Sequence, residues 1–371
     1  SDGQAVGAMA EAGSGKARLC YEFLERCRSR GITVRTSTGV PHGRAVPLQP
    51  ILELYREIFG ITFDDTDAQA RQKIAGGIAQ IAPEELGSLP LAFDFMRVPD
   101  PARPAPDLAP DERLRAVMAL LRRITAARSR REPAVLVFED LHWIDADTEA
   151  IVESFVDVAA GTRTLVLLNF RPEYRASWVG RTHYQQIALR PLDAAAAAAL
   201  LTDWLGSDPS LARFVDLVCE RTGGNPFFIE EVVQAQIESG SLVGARGRFR
   251  LQQPIETVEV PASVQSLLAA RIDRLDEAVK RLLQTAAVIG DEVADTVLDR
   301  VAGLDRDALR SALRQLVQSE FLYEAALYPE SEYAFKHPLT REVAYASLLR
   351  ERRRALHAAV ATALEALAGA A

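Results

Sequence analysis

The chain has 371 residues, of which 48% are hydrophobic and 25% are charged. These values are ordinary for a globular protein, and the length allows two or three domains with separate cores. The formal net charge of -8 argues against a general affinity for nucleic acid or for anionic membranes, and the longest apolar runs, such as residues 164–168, are too short to span a bilayer.

The cysteines are few: Cys20, Cys27 and Cys219, without Cys-x-x-Cys spacing. Such a set supports neither a disulfide framework nor a zinc site. Cys20 and Cys27 share one predicted helix, which favours buried, small apolar side chains. This cysteine usage predicts a reducing, cytoplasmic compartment, and no secretory signal opens the sequence. The first residue is Ser1 rather than Met, and we expect the sequence to be a fragment of a longer protein.

Strand-like and helix-like segments alternate through the first half of the chain. The predicted strands are residues 5–10, 32–36, 134–138, 164–170 and 185–189. Three of them are nearly continuous apolar runs, which is typical of strands covered by helices on both faces of a parallel sheet. Helical patterns lie between them, notably at 111–130 and 147–158. These features predict a doubly wound α/β domain over residues 1–190.

Residues 99–110 carry five prolines, so they are neither helix nor central strand. The segment is either a linker between domains or a loop inside the α/β domain. We favour the loop, because the strand at 134–138 is needed to complete the sheet.

Helical patterns dominate beyond Pro191. Residues 193–205 predict a helix with Asp193 as its N-cap, and Gly290 is a predicted helix stop. Extended segments at 321–327 and 332–337 predict a hairpin wing. We therefore predict a helical lid domain at 191–260, a winged-helix-like domain at 261–350 and the start of a C-terminal helical region at 351–371.

The stretch "AMAEAGSGKARL", residues 8–19, reads as a strand, a glycine turn, a lysine and a helix. This is the layout of a phosphate-binding loop, G-x-x-x-x-G-K-[ST], although Ala10 replaces the first glycine and Ala17 replaces the Ser or Thr. Glycines let backbone N–H groups curl around phosphate oxygens, and the lysine reaches the β- and γ-phosphates. The alternatives are a damaged site or a chance turn. The candidate nucleotide-binding residues here are Glu11, Ala12, Gly13, Ser14, Gly15, Lys16, Ala17 and Arg18.

Two further segments carry polar residues at the ends of apolar strands. "AVLVFEDLHWID" ends its strand in Glu139 and Asp140, an arrangement that can hold magnesium and orient the attacking water. The alternative is a pair of solvated acids at a strand end. In "LVLLNFRPEY", Asn169 and Arg171 are candidate sensors of the γ-phosphate, and they point the same way if both are extended. Arg171 could equally be a surface residue before Pro172.

With these motifs in this order, the sequence resembles the STAND class of signal-transduction NTPases. The closer likeness is to ATPase modules attached to bacterial class III adenylate or guanylate cyclase domains and to large LuxR-type regulators. Further stretches that carry the resemblance are "RTGGNPFFIEEVV", "VPASVQSLLAARIDRLDEAVKRLLQTAAVIG" and "FKHPLTREVAYASLLRERRRALH". The resemblance implies an α/β P-loop NTPase fold with a parallel sheet, followed by a lid and a winged-helix-like domain.

The resemblance also implies residue roles. Lys16 would bind phosphate, Glu139 and Asp140 would serve as the magnesium and catalytic acids, and Arg171 would be the catalytic sensor. From the second half of the chain, Pro226 would pack on the adenine and His337 would touch the β-phosphate of bound ADP. Without the resemblance, His337 reads as an ordinary core or surface histidine.

The loop departs from the family pattern, which usually reads like "GEAGIGKSRL". Ala10 is a mild change if its backbone keeps a negative φ. Ala17 is a larger change, because a methyl group cannot ligate magnesium. We therefore expect ATP hydrolysis to be weakened more than nucleotide binding.

These features predict a nucleotide-dependent signalling switch that binds ATP or ADP with Mg²⁺ between the α/β domain and the lid. The switch would control an attached or partner output domain such as a cyclase, and self-association is a further expectation. One alternative is a degenerate scaffold that works through protein contacts. A less favoured alternative is DNA binding through the winged helix, with residues 348–357 as its basic element.

Overall fold

The structure is a computed structural model that describes residues 3–39, 47–62, 64–255, 258, 260–326 and 331–368. The chain divides into two compact units, one ending at Arg190 and the other beginning at Pro191. Residue 327, at the end of a predicted wing strand, and residues 369–371 of the predicted C-terminal region lie outside the described residues. Among the described residues, no helix is both long and apolar enough to cross a membrane.

A parallel sheet organises the first unit. Its strands are β1 (Gln4–Met9), β2 (Thr33–Thr38), β3 (Ala134–Glu139), β4 (Thr164–Phe170) and β5 (Tyr184–Ala188). They lie in the order β2-β3-β4-β1-β5, and all neighbouring pairs are parallel. Each matches a predicted strand to within two residues, and the predicted α/β P-loop NTPase fold is confirmed. Because the strands are parallel, their carboxyl ends meet at one edge.

Helices cover both faces of this sheet. The helices of the first unit are α1 (Lys16–Ser29), α2 (Gln49–Phe59), α3 (Asp67–Ile81), α4 (Leu89–Phe95), α5 (Pro110–Arg131) and α6 (Ala146–Ala159). Alternate residues of β3 point to opposite faces: Val135 and Val137 pack with α1, whereas Leu136 and Phe138 pack with α2 to α6. On α1, Cys20 is buried in the sheet-facing core as predicted, and so is Cys27.

The proline-rich segment is a loop of the α/β unit. Residues 99–109 form neither helix nor strand, and α5 begins at Pro110. Proline suits the first turn of a helix because its missing N–H has no partner there. Since β3 follows α5 and joins the same sheet as β1, the loop interpretation is confirmed over the linker.

The second unit is mainly helical. Its helices are α7 (Ala194–Leu205), α8 (Ala212–Thr222), α9 (Pro226–Glu238), α10 (Val264–Asp273), α11 (Glu277–Ile289), α12 (Asp295–Val301), α13 (Arg306–Gln318), α14 (Pro338–Ala346) and α15 (Arg350–Ala368). Its strands are β6 (Leu242–Val243), β7 (Arg250–Leu251), β8 (Glu292–Ala294), β9 (Leu322–Ala326) and β10 (Glu332–Phe335). Asp193 caps α7 as predicted, because its carboxylate accepts the Ala196 N–H at 2.8 Å. Helix α11 ends just before Gly290, also as predicted.

The predicted hairpin is present: β9 and β10 are antiparallel, and β8 pairs with the other edge of β10. Assignment of this region to the winged-helix class stays a prediction. The division of the second half into domains at 191–260, 261–350 and 351–371 also stays a prediction.

A buried arginine ties several elements of the second unit together. Arg271 on α10 forms ion pairs with Glu231 and Glu238, both on α9. It also donates to the Ser319 carbonyl at 2.8 Å, and its guanidinium carbon lies 4.7 Å from the centre of the Phe321 ring. Only 1% of the Arg271 side chain is exposed, so its charge is compensated by the protein rather than by water.

Candidate nucleotide-binding site

The loop between β1 and α1, residues 10–15, has the backbone of an anion cradle. Gly13 and Gly15 have φ of 80° and 87°, in the left-handed region that other residues avoid. The Ala10 N–H donates to the Phe170 carbonyl at 3.3 Å, which ties the start of the loop to the end of β4. Ala10 is not among the described non-glycine residues with positive φ, so its methyl group adds no backbone strain.

The first turn of α1 is open to an anion. Within the described residues, this turn carries neither a side-chain cap nor an acidic side chain. Its N–H groups and the positive end of the helix dipole therefore favour a negatively charged group. The Ser14 hydroxyl is buried beside them, and its oxygen has no hydrogen-bond partner in the described part of the chain. A phosphate oxygen fits these donors.

Lys16 points from this turn toward the acids at the end of β3. Its Nζ lies 3.4 Å from Asp140 Oδ1 and 3.3 Å from Asn169 Oδ1. Only 13% of the Lys16 side chain is exposed. The ammonium group is therefore held beside the glycine loop, where a triphosphate would need it.

Asn169 connects the strand ends. It is the second-last residue of β4, and its side-chain oxygen also accepts the Asp140 backbone N–H at 2.7 Å. Its Nδ2 donates to Glu139 Oε1 at 3.2 Å. Asn169 is 3% exposed, so this single amide sets the geometry of the lysine and both acids from inside the protein.

The sequence signal for Asn169 was a polar residue in the otherwise apolar run of β4. Both Asn169 and Arg171 are candidate sensors in the sequence, but the family resemblance implies the catalytic role for Arg171. Since β4 ends at Phe170, the extended backbone that would have aimed both side chains the same way stops before Arg171. The two side chains make different contacts: Asn169 binds Lys16, whereas Arg171 lies over Trp143.

The two acids have different environments. Burial, and then the negative charge of Asp140, raise the pKa of the Glu139 carboxyl above its ordinary value. Asp140 lies within 3.4 Å of the Lys16 ammonium and adopts a left-handed backbone with φ of 51°, which Asp tolerates better than most residues. Glu139 is thus suited to accept a proton, whereas the contact of Asp140 is with the lysine.

The acids fit a magnesium ion that is shared with a nucleotide. Within the described residues, no group of three or more His, Cys, Asp or Glu side chains could hold a metal alone. Magnesium commonly takes one or two protein carboxylates, substrate phosphates and water. Glu139 and Asp140 would be those carboxylates, while Ala17, exposed in the first turn of α1, offers no oxygen.

The remaining predicted residues of the loop are less central. Glu11 is exposed, and its carbonyl accepts the Ser14 N–H at 3.3 Å. Ala12 is half-buried within the loop. Arg18 is exposed and forms an ion pair with Glu22, one turn further along α1.

Pro226 and His337 both begin helices of the second unit. Pro226 is the first residue of α9, and His337 is the N-cap of α14, where its Nδ1 accepts the Leu339 N–H at 3.1 Å. The ring of Phe227 stacks on the His337 imidazole, with 3.7 Å between centroids and 13° between planes. Their contacts with a nucleotide stay predictions.

A profile of the family described as AAA ATPase domain matches residues 9–168. The match runs from the end of β1 to β4, and it includes the glycine loop, Lys16 and both acids. It stops one residue before Asn169. Together with the sheet order and the loop geometry, the match supports a specific class of module. Residues 9–168 match the AAA ATPase domain family, and they lie in a unit with an α/β P-loop NTPase fold.

The chain is also similar to an uncharacterized protein of Rhizobium meliloti (strain 1021), with 29% identity over 374 residues. The similarity covers 98% of this chain but only 35% of that protein, so the chain spans about a third of its relative. Among solved structures it resembles a Signal Transduction ATPase with Numerous Domains (STAND) protein with a tetratricopeptide repeat sensor from Pyrococcus horikoshii, at a TM-score of 0.51 and 11% identity. That match covers 96% of this chain and 42% of the other, and it shows a shared fold.

Proposed function

We propose that the chain is a nucleotide-dependent regulatory switch that binds ATP or ADP with Mg²⁺ and hydrolyses ATP slowly. The observation that carries the proposal is the position of Lys16. Its ammonium lies between Asp140 and Asn169, directly at the head of an uncapped helix. That convergence of a cation, open N–H groups and paired acids favours a polyphosphate over any other small anion.

The side chains would divide the work. The glycine loop and Lys16 bind the phosphates, and Asp140 holds the lysine in place. Glu139, whose raised pKa makes it the better proton acceptor, orients and deprotonates the attacking water. A bound magnesium ion would neutralise charge on the phosphates. Without an oxygen at Ala17, the protein supplies one magnesium ligand fewer than the usual loop, so hydrolysis is slower than in modules with Ser or Thr.

The contacts of Arg171 with the γ-phosphate, of Pro226 with the adenine and of His337 with the β-phosphate belong to this proposal. A nucleotide can move a switch only if its affinity differs between two states. The resemblance to STAND proteins supports ADP for the resting state and ATP for the active state, with the output delivered by a further domain such as a cyclase. Self-association of the ATP state and a cytoplasmic location are parts of the same proposal.

Calorimetric titration of the 371-residue chain with ATP and with ADP tests binding directly. Saturable binding of either nucleotide is expected, and Lys16→Ala should weaken it at least tenfold. The matched control is Lys73→Ala, which removes a lysine of the same unit that pairs with Asp65 instead. Binding that is absent at millimolar nucleotide, or that survives Lys16→Ala unchanged, would refute the proposal.

A second candidate is a scaffold that has lost nucleotide chemistry, and the methyl group of Ala17 is the observation that favours it. Ala17→Ser separates the two. A switch with a weakened magnesium site gains magnesium-dependent phosphate release, whereas a relic stays inactive. Ala17→Cys is the control, because it adds a side chain of similar size that is a poor magnesium ligand.

A further inference from the structure

A shallow groove lies between α5 and α6, which pack on the face of the sheet opposite to α1. Its cavity has a volume of about 320 Å³. It is lined by Ala119, Arg122, Arg123 and Ala126 of α5 and by Val158 of α6. The alanines and the valine are half-buried, whereas both arginines are exposed. The groove therefore has an apolar floor and a cationic rim.

The α5 side of the groove continues along one face of the helix. Arg115, Ala119, Arg122 and Ala126 follow one another at spacings of four, three and four residues, which places them on the same side of α5. Small side chains at these spacings let a neighbouring helix approach closely. Arg115 and Arg122 are two turns apart, so their Cα atoms are separated by about 10.5 Å along the helix axis.

The two arginines at these positions have no acidic partner within the described residues. This distinguishes them from four other arginines of the same helix, which pair with acids of the first unit: Arg113 with Asp94, Arg123 with Glu85, Arg128 with Glu132 and Arg130 with Glu84. The acids of α6 nearest in sequence to Val158 do not compensate them either, because Glu153 and Asp157 pair with Arg181. The groove face thus carries positive charges that await an acid from another molecule.

An amphipathic helix with acidic residues matches this groove in both shape and charge. A helix that lays its apolar face into a groove is a common mode of peptide recognition. Acids seven residues apart would meet Arg115 and Arg122, and aliphatic side chains between them would cover the alanines and Val158. A nucleic acid would meet the arginines but leave the apolar floor uncovered, and the net charge of -8 opposes its approach.

We propose that the groove between α5 and α6 binds an acidic amphipathic helix of a partner protein, with carboxylates seven residues apart paired to Arg115 and Arg122. The inference goes beyond the proposed function and does not depend on it. The residues of the groove are separate from the phosphate loop and from the acids at the end of β3, so the docking of a helix is measured without nucleotide.

The probe is a fluorescein-labelled peptide of three heptads, with glutamate at the first position of each heptad, leucine at the fourth and fifth, and alanine or glutamine elsewhere. Fluorescence anisotropy with the full 371-residue chain should show saturable binding that weakens as the salt concentration rises. A peptide with lysine in place of each glutamate should not bind. Absence of saturable binding by the glutamate peptide would overturn the proposal.

Charge reversal locates the binding site. Arg115→Glu and Arg122→Glu each set like charges against each other and should weaken binding of the glutamate peptide at least about tenfold. The matched control is Arg131→Glu, which reverses an exposed arginine nine residues from Arg122 and therefore on the opposite side of α5. Its affinity should stay unchanged. Equal losses in the three variants would mean that the peptide senses only the overall charge, which overturns the groove as its site.

Filling the floor distinguishes a helix from other anionic partners. Ala126→Leu and Ala119→Leu occupy the groove without changing its charge and should weaken peptide binding, while a thermal midpoint close to that of the wild type shows that the fold is kept. Unchanged peptide affinity in both variants would refute docking in the groove. Single-stranded DNA that binds through the same arginines, tolerates both leucines and displaces the peptide would show that the occupant is a nucleic acid and would overturn the proposal.

Discussion

Replacing Asn169 with Asp tests the network on which the site depends. The new side chain has nearly the same shape and keeps an oxygen for Lys16 and for the Asp140 N–H, at present 3.3 Å and 2.7 Å away. It loses the Nδ2 donor that lies 3.2 Å from Glu139 Oε1, and it places a second carboxylate beside that of Glu139. Two unit charges at that separation repel by about 5 kcal/mol at an effective dielectric constant of 20.

Protonation of Glu139 limits this cost. Keeping a carboxyl of ordinary pKa protonated at pH 7 costs at most about 3 to 4 kcal/mol. Burial and Asp140 already raise the pKa of Glu139, so the loss of stability at pH 7 should be smaller than this limit. A group whose pKa is raised by folding contributes stability at low pH and loses it as the pH rises through the folded value. Asn169→Asp raises that pKa further, so its deficit should shrink as the pH falls.

Urea unfolding at a series of pH values is the assay. In a Trp204→Phe background, tryptophan emission reports on the first unit only, because Trp143 and Trp178 are both there. Gln185→Glu adds the same charge at an exposed position of β5 and is the control, with little change expected. If Asn169→Asp is as stable as the wild type at pH 8, or if its deficit does not depend on pH, then the amide does not donate to Glu139 and the proposed geometry is wrong.

Three further changes have expected outcomes. Arg271→Met leaves buried Glu231 without its arginine partner and should lower the free energy of unfolding, measured in urea, by about 3–5 kcal/mol. The control Arg281→Met removes an exposed ion pair and should lower it by about 1 kcal/mol or less. Similar losses for both variants would contradict the buried network. Glu139→Gln removes a charge that burial disfavours, so it should raise the thermal midpoint in calorimetry, by about 2–4 °C for each kcal/mol of stability gained, while lowering ATP hydrolysis. A lower midpoint would count against the raised pKa of Glu139. Asp193→Ala removes the N-cap of α7 and should lower the free energy of unfolding in urea by about 0.5–2 kcal/mol, whereas Asp193→Asn, which keeps a capping oxygen, should lower it much less.

The parallel sheet was predictable because its central strands β3 and β4 are buried on both faces. Residues 134–138 and 164–170 are nearly continuous apolar runs, and the structure packs alternate apolar residues of each run into opposite cores. Local signals also placed helix boundaries well. The Asp193 carboxylate caps its helix within the first turn, and Gly290 ends its helix because glycine has a low helix propensity, so no tertiary information was needed.

The role of Asn169 could not be derived from the sequence in the same way. Its amide meets Lys16 only because β4 lies between β1 and β3, and strand order is a property of the whole sheet. The separation of Asn169 and Arg171 has a similar origin, since it depends on where β4 ends. The polar residues after apolar runs identified which strand ends meet at one edge of the sheet. Which of these side chains contact one another could be assigned only from the fold.

The structure distinguishes the effect of the altered loop on phosphate binding from its effect on magnesium binding. The anion cradle is formed by the backbone at Gly13 and Gly15, and the ammonium of Lys16 is fixed by Asp140 and Asn169. Each of these contacts is made without the side chain of residue 17, which is exposed on α1. A hydroxyl added there can therefore bind a metal without rearranging the phosphate cradle. If Ala17→Ser gains magnesium-dependent hydrolysis at unchanged ADP affinity, the altered loop is defective in metal ligation. If Ala17→Ser binds ADP more tightly without gaining hydrolysis, the defect lies in the phosphate cradle.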